Sequence, residues 1–167
     1  MSSNSSVLRL YRSFSNLPGG KWLFARAVCW RAPYFSSIRP RVIELDRGRS
    51  VWSMRKRRAV QNHIGTVHAL AMGNLCEIAA GLAMEASTPA GRRWIPKGMN
   101  IEYLKKATTD VSAEATVSAD ACASVGDVPV EVMVRDTAGE TVVRAVITMY
   151  VSEARAAETQ RRAVDTA

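Results

Sequence analysis

A chain of 167 residues, 47% apolar and 23% charged, is long enough to bury one core and too apolar to stay disordered. Its three cysteines, Cys29, Cys76 and Cys122, lie far apart without a CxxC pair, which argues against a disulfide framework or structural zinc and fits a reducing compartment. The net charge of +8 is uneven: residues 1–58 carry 13 Lys/Arg against 2 Asp/Glu, whereas residues 59–167 carry 10 against 13.

A basic N-terminal third attracts polyanions such as nucleic acid, anionic lipid or a phosphate-bearing ligand. The competing reading, a solvated face that aids solubility, holds equally for any single charge. The most apolar early run, Trp22 to Trp30, is interrupted by Arg26 and is far shorter than the ~20 residues a membrane span needs. The expectation is therefore a cytoplasmic protein without stable membrane insertion.

Residues 1–6 read as a polar tail closing on a serine N-cap. Val7, Leu8, Leu10, Tyr11, Phe14 and Leu17 then recur at helical spacing until Pro18-Gly19-Gly20, and a second helix covers Lys21 to about Arg31 before Ala32-Pro33. This extension, residues 1–32, either clasps a sheet edge or rests on a membrane surface. Its basic and aromatic residues are too weakly segregated for a typical interfacial helix, which favours packing.

Strand texture begins near Arg39. Residues 41–46 and 50–55 form a hairpin about Arg47-Gly48-Arg49, and the basic connection Lys56-Arg57-Arg58 leads into Asn62-His63-Ile64-Gly65-Thr66-Val67-His68. A long helix should start near Thr66, as its cap, and end about Ala86 before Ser87-Thr88-Pro89. Its density of Ala and Gly suits a helix lying tight against a sheet. Four strand patterns follow: Trp94 to Lys105, Val111 to Ala119, Val128 to Arg135 and Thr141 to Val151. Short connectors imply antiparallel neighbours. The expected architecture is α+β, a six-stranded antiparallel sheet wrapped around one long central helix. Residues 33–152 form the main domain and 153–167 a solvated tail. Neither a Gly-rich phosphate loop nor a metal-ligand cluster is evident, so no metal and no cofactor are expected.

The string Asn62-x-x-Gly65-Thr66-Val67-His68-Ala69, with Glu77 nine residues after His68, resembles the hotdog-fold acyl-CoA thioesterase superfamily. Thioesterases of the phenylacetate-pathway and medium/long-chain type show Asn-x-x-Gly-x-x-His-Gly-Gly with an acidic residue at that offset. Here Ala69-Leu70 replaces the glycine pair. Ile101 to Ala107, Pro33-Tyr34-Phe35 and Ile38-Arg39-Pro40 are also similar to a bacterial branch of the superfamily, so the resemblance spans roughly residues 33–152.

What the resemblance implies is hydrolysis of an acyl-CoA thioester in a homo-oligomer, a dimer or dimer of dimers, with each site shared between protomers. Free N–H groups at the helix start, near Gly65 to Ala69, would polarise the carbonyl as an oxyanion hole. Glu77 would activate water or attack directly; its other reading is a helix-surface glutamate. Asn62 would orient water or the thioester oxygen, or else simply form the turn before Gly65. His68 would bond across the site or steady the loop, with the scaffold role favoured. Leu70 and Asn74 precede Glu77 on the helix and are candidate substrate contacts. Arg92, Arg93, Lys105 and Lys106 are candidates for the phosphates of coenzyme A. A non-catalytic acyl-chain or acyl-CoA binder is the alternative, motivated by Ala69-Leu70. A nucleic-acid partner ranks last, because no aromatic-basic strand signature appears.

Overall fold

The computed structural model describes residues 5–154. Two helices, α1 (Ser6–Ser15) and α2 (Gly20–Arg31), precede a hairpin of β1 (Arg41–Asp46) and β2 (Arg49–Met54). The long helix α3 (Ala69–Ser87) follows, then β3 (Arg92–Tyr103), β4 (Val111–Thr116), β5 (Gly126–Asp136) and β6 (Thr141–Glu153). Glu153, where a solvated tail was expected to begin, is the last residue of β6, and residues 155–167 of that expected tail lie outside the described residues.

All six strands join one antiparallel sheet, ordered β1-β2-β4-β5-β6-β3, with α3 against its inner face. This is the hotdog arrangement. One neighbour relation differs from the short-connector rule: β3 and β4 are consecutive, yet β3 pairs with β6 and β4 with β2. The connector between them, residues 104–110, is tied down on the way. Its Ala107 carbonyl accepts the Val67 N–H at 2.9 Å, and its Asp110 carboxylate accepts the Lys56 N–H at 2.8 Å. The chain is thereby carried past the start of α3 to the unpaired side of β2.

Alternation along the strands supplies the core. Val128, Val130, Val132 and Val134 of β5 and Val143, Ile147, Met149 and Val151 of β6 are buried. From α3, Ala79, Ala80 and Ala83 are fully buried, and a Cβ on Gly81 would come within 3.2 Å of the Trp94 ring. Small side chains are what let the helix sit this close to the sheet. With a mean hydropathy of 1.2, α3 is long and apolar enough to cross a bilayer, but 67% of it is buried inside the fold, as in a core helix.

The two sheet edges are managed differently. Along β1, the N-terminal helices clasp the strand: Tyr11 Oη and Lys21 Nζ both donate to the Ile43 carbonyl, at 3.5 and 2.6 Å, and Arg12 pairs with Asp46 at 3.2 Å. Ile43 sits where the β1–β2 register shifts, which turns its carbonyl outward. Beneath, Tyr11 packs edge-on against Phe24, with centroids 5.2 Å apart, and Phe24 lies 6.4 Å from the fully buried Trp52. The cap of α1 is Ser5, one residue before the expected serine, accepting the Leu8 N–H. Along β3 no element among the described residues covers the strand, and Ile95 (60%), Met99 (40%) and Tyr103 (44%) are exposed.

Candidate active site

The Asn62–Thr66 loop is built by its own polar groups. Asn62 Oδ1 accepts the N–H groups of Ile64 and Thr66, both at 3.1 Å, while its Nδ2 donates to Thr66 Oγ1 at 2.8 Å. The Gly65 N–H returns to the Asn62 carbonyl, and a bridge between Gln61 and Val67 closes the loop's base. Gly65 has φ of 76°, a left-handed conformation that costs glycine nothing. The side chain of Asn62 therefore forms the turn, with one Nδ2 hydrogen left over. His63 is exposed in the same loop.

The helix starts later than its sequence suggests. His68, not Thr66, is the N-cap: Nδ1 accepts the Leu70 N–H at 3.1 Å. An acceptor Nδ1 places the proton of the neutral ring on Nε2. Thr66 is held inside the loop by Asn62. The early amides are then spoken for, with Val67 N–H on Ala107 O, His68 N–H on Val60 O at 2.8 Å, and Leu70 N–H on His68. Among the described residues the Ala69 N–H has no acceptor. It is the first residue of a 19-residue helix, where the macrodipole adds positive potential.

Ala69 opens onto a groove of 330 Å³, lined also by Asn62, Thr66, Met72, Tyr103, Lys105 and Lys106. Tyr103 lies over the helix start and donates its hydroxyl to the Ala69 carbonyl at 3.1 Å. Burial raises the Tyr103 pKa, so the phenol stays a donor at neutral pH. Sequence reasoning placed Tyr103 on a strand face but not at the site; only the antiparallel run of β3 along α3 brings it there.

The remaining candidates separate. Glu77 is half-buried and makes no hydrogen bond or ion pair among the described residues. It lies eight residues beyond Ala69, about 12 Å along the helix, and does not line the groove of its own chain. Leu70 is 72% exposed just outside that groove. Asn74 is buried and donates to Ser37 Oγ at 3.2 Å, which turns it toward the Pro33–Ile38 turn and away from the groove. Lys105 lines the groove but pairs with Glu140, whereas Lys106 lines it without an ion pair among the described residues. Arg92 bonds Ala123 O and Glu153, and Arg93 bonds Ser152; both sit at the opposite end of β3, about 30 Å from Tyr103. Cys76, beside Glu77, is fully buried, and burial pushes its thiol up to about 12, which excludes it as a nucleophile. Among the described residues no group of three His, Cys, Asp or Glu could hold a metal ion.

Solved structures repeat this architecture. A structural-genomics protein, APC5556, superposes with a TM-score of 0.78 at 42% identity, covering 89% of this chain and 99% of that one. PA5026 from Pseudomonas aeruginosa, a protein of unknown function described as a probable thioesterase, superposes with a TM-score of 0.70 at 22% identity, covering 83% and 97%. Thioesterase HI1161 from Haemophilus influenzae does so with a TM-score of 0.65 at 15% identity, covering 72% and 82%. The latter two likenesses bear on the fold, which is that of the hotdog thioesterases. No curated protein matches the chain. A family profile described as a domain of unknown function (DUF4442) matches residues 20–151, from α2 to the end of the sheet, and the chain belongs to that family.

Proposed function

We propose that this protein hydrolyses acyl-CoA thioesters as a homodimer, with each site assembled from two chains. The observation that carries the proposal is the unsatisfied Ala69 N–H, set at a helix N-terminus on the floor of a groove. A donor so placed stabilises negative charge as it develops on a thioester oxygen. Alanine in place of glycine keeps the N–H and adds only a methyl group.

One chain lacks the second half of the chemistry, because its own Glu77 is about 12 Å away. Symmetry supplies it. Gly73 lies midway between Ala69 and Glu77, four residues from each. If two α3 helices cross antiparallel at Gly73, each Ala69 faces the other chain's Glu77. Gly73 is partly exposed, with only Ile101 Cδ1 near its missing Cβ, at 3.9 Å, so it offers a surface for close approach. Such a crossing would cover the exposed Leu70, and the edge of β3, unpaired among the described residues, would be available for a second copy. Antiparallel pairing of two β3 strands also brings the Arg92 end of one beside the Tyr103 end of the other. That is how Arg92, Arg93 and Lys106 could converge on coenzyme A phosphates.

In this site the Ala69 N–H holds the thioester oxygen, and Glu77 takes a proton from water as the water oxygen bonds to the carbonyl carbon. The C–S bond then breaks and the thiolate leaves with that proton, or Glu77 itself displaces the thiolate to give an anhydride that water hydrolyses. The spare Nδ2 hydrogen of Asn62 and the Tyr103 hydroxyl border the space for the reacting group. Glu77→Gln should lower turnover by roughly 10²–10⁴-fold while the dimer stays folded. The check is a panel of acyl-CoA chain lengths read by thiol release, beside circular dichroism; undiminished turnover would falsify the role. A second reading, an acyl-CoA binder without turnover, is favoured by the exposed Leu70 where the superfamily has glycine. Binding across the panel with no thiol release from the wild type selects it.

A further inference from the structure

A second groove, of 460 Å³, lies between α2, the start of β1 and the segment that follows β2. It shares no residue with the groove at α3. Six cations line it, Arg26, Arg39, Arg41, Arg55, Lys56 and Arg57, and no acidic residue does. None of the six forms an ion pair among the described residues. Elsewhere Arg12, Arg49, Arg92, Lys97, Lys105 and Arg135 each meet a carboxylate, and the cations that do not, such as Lys106 and Arg144, are not gathered six to a groove. Like charges gathered without counterions repel, and a protein that only needed a soluble face would spread or pair them.

Three further features give the groove the character of a site. Arg57 is anchored through Nη2 to the Ser37 carbonyl, yet its Nε is buried with no acceptor among the described residues. Arg39 holds a left-handed backbone with φ of 49°, the one such non-glycine residue among the described residues, and it projects from the wall between Ile38 and Pro40. Trp22, 61% exposed, forms an apolar side wall one helical turn from Arg26. Guanidinium groups match phosphate oxygens in pairs, and an exposed indole supplies a flat surface for a ring or a chain.

We infer that this groove is a binding site for a phosphate-bearing organic anion, with phosphate oxygens held by Arg39, Arg55 and Arg57 and the organic part laid on Trp22. The site is independent of the thioesterase reading. The full-length protein is titrated with pyrophosphate, with adenosine 3′,5′-bisphosphate and, in a separate arm, with vesicles of phosphatidylglycerol in phosphatidylcholine. Tryptophan fluorescence and calorimetry are the readouts. Saturable binding is expected that weakens at least about tenfold in Arg39→Glu/Arg55→Glu, both exposed positions, and hardly changes in Lys97→Glu/Arg144→Glu, which alters net charge equally. Response to the soluble anions identifies a small-molecule ligand, and response to vesicles alone identifies a lipid headgroup as the source of the phosphate. Circular dichroism confirms folding, and Arg39→Gln/Arg55→Gln repeats the test with a smaller perturbation. Absence of binding in both arms up to millimolar anion, or equal weakening in the two charge-reversed variants, overturns the inference.

Discussion

His68 shows how a residue in a catalytic-looking motif can owe its place to backbone chemistry. Its Nδ1 accepts the Leu70 N–H, and its backbone N–H is already on Val60 O. Losing a cap costs about 1 kcal/mol. His68→Ala should therefore lower the melting temperature by a few degrees, whereas His68→Ser, which keeps a capping oxygen, should restore it. If the role is only structural, thiol release recovers along with stability in the serine variant; continued loss of turnover would assign the imidazole a chemical part. Asn62 is comparable, because the bonds that make it a turn residue occupy most of its amide. The spacing of Asn62, Gly65 and His68 was legible in the sequence, and so was a turn-forming Asn62 and a scaffold role for His68, but the sequence left the catalytic readings open beside them. Whether a polar side chain faces its own backbone or a ligand depends on a few torsion angles.

Among the elements, the outer face of the sheet carries a cross-strand charge network. Glu114 on β4 meets Arg49 on β2 at 2.7 Å and Arg135 on β5 at 3.0 Å, and Arg49 also pairs with Glu44 on β1. Arg49, chiefly through its hydrogen bond, holds the Glu114 carboxyl below its ordinary value of 4.5. A carboxyl with a depressed folded pKa stabilises the fold above its unfolded pKa, and that contribution disappears as pH falls through the folded value. The wild type should thus lose stability on acidification below about pH 4.5, and Glu114→Gln should be less stable at neutral pH with a shallower acid slope. Urea midpoints measured from pH 7 to 3 decide it. Strand alternation foretold which face of β4 and β5 would be buried, since that needs only a period of two. The partnership of β2 with β4 was not foretold, because it depends on where the 104–110 connector is pinned.

For the whole molecule, the contrast between edges is the controlling fact. β1 is closed by α1 and α2, while β3 is twelve residues long and, among the described residues, open on its outer edge. An uncovered strand of that length tends to pair with another copy. In the proposed dimer, Gly73→Leu places a branched side chain where two helices would meet, so it should weaken that association at least about tenfold while sparing the fold of each chain. Analytical ultracentrifugation across a dilution series reads this directly, and turnover should fall in step with dissociation. A variant that stays dimeric with full activity would rule out crossing at Gly73.

Local rules acting on the chain alone settled the order of helices and strands, the buried faces of β4, β5 and β6 and the small-residue character of α3. Periodicity, caps and turns all act within a few residues. Distance in space, by contrast, determined that Tyr103 reaches Ala69, that Asn74 turns to Ser37, and that six cations from three separate segments share one groove. Those juxtapositions arise from how the sheet curls around its helix and from which edge the N-terminal helices close, and neither is encoded within reach of a single turn.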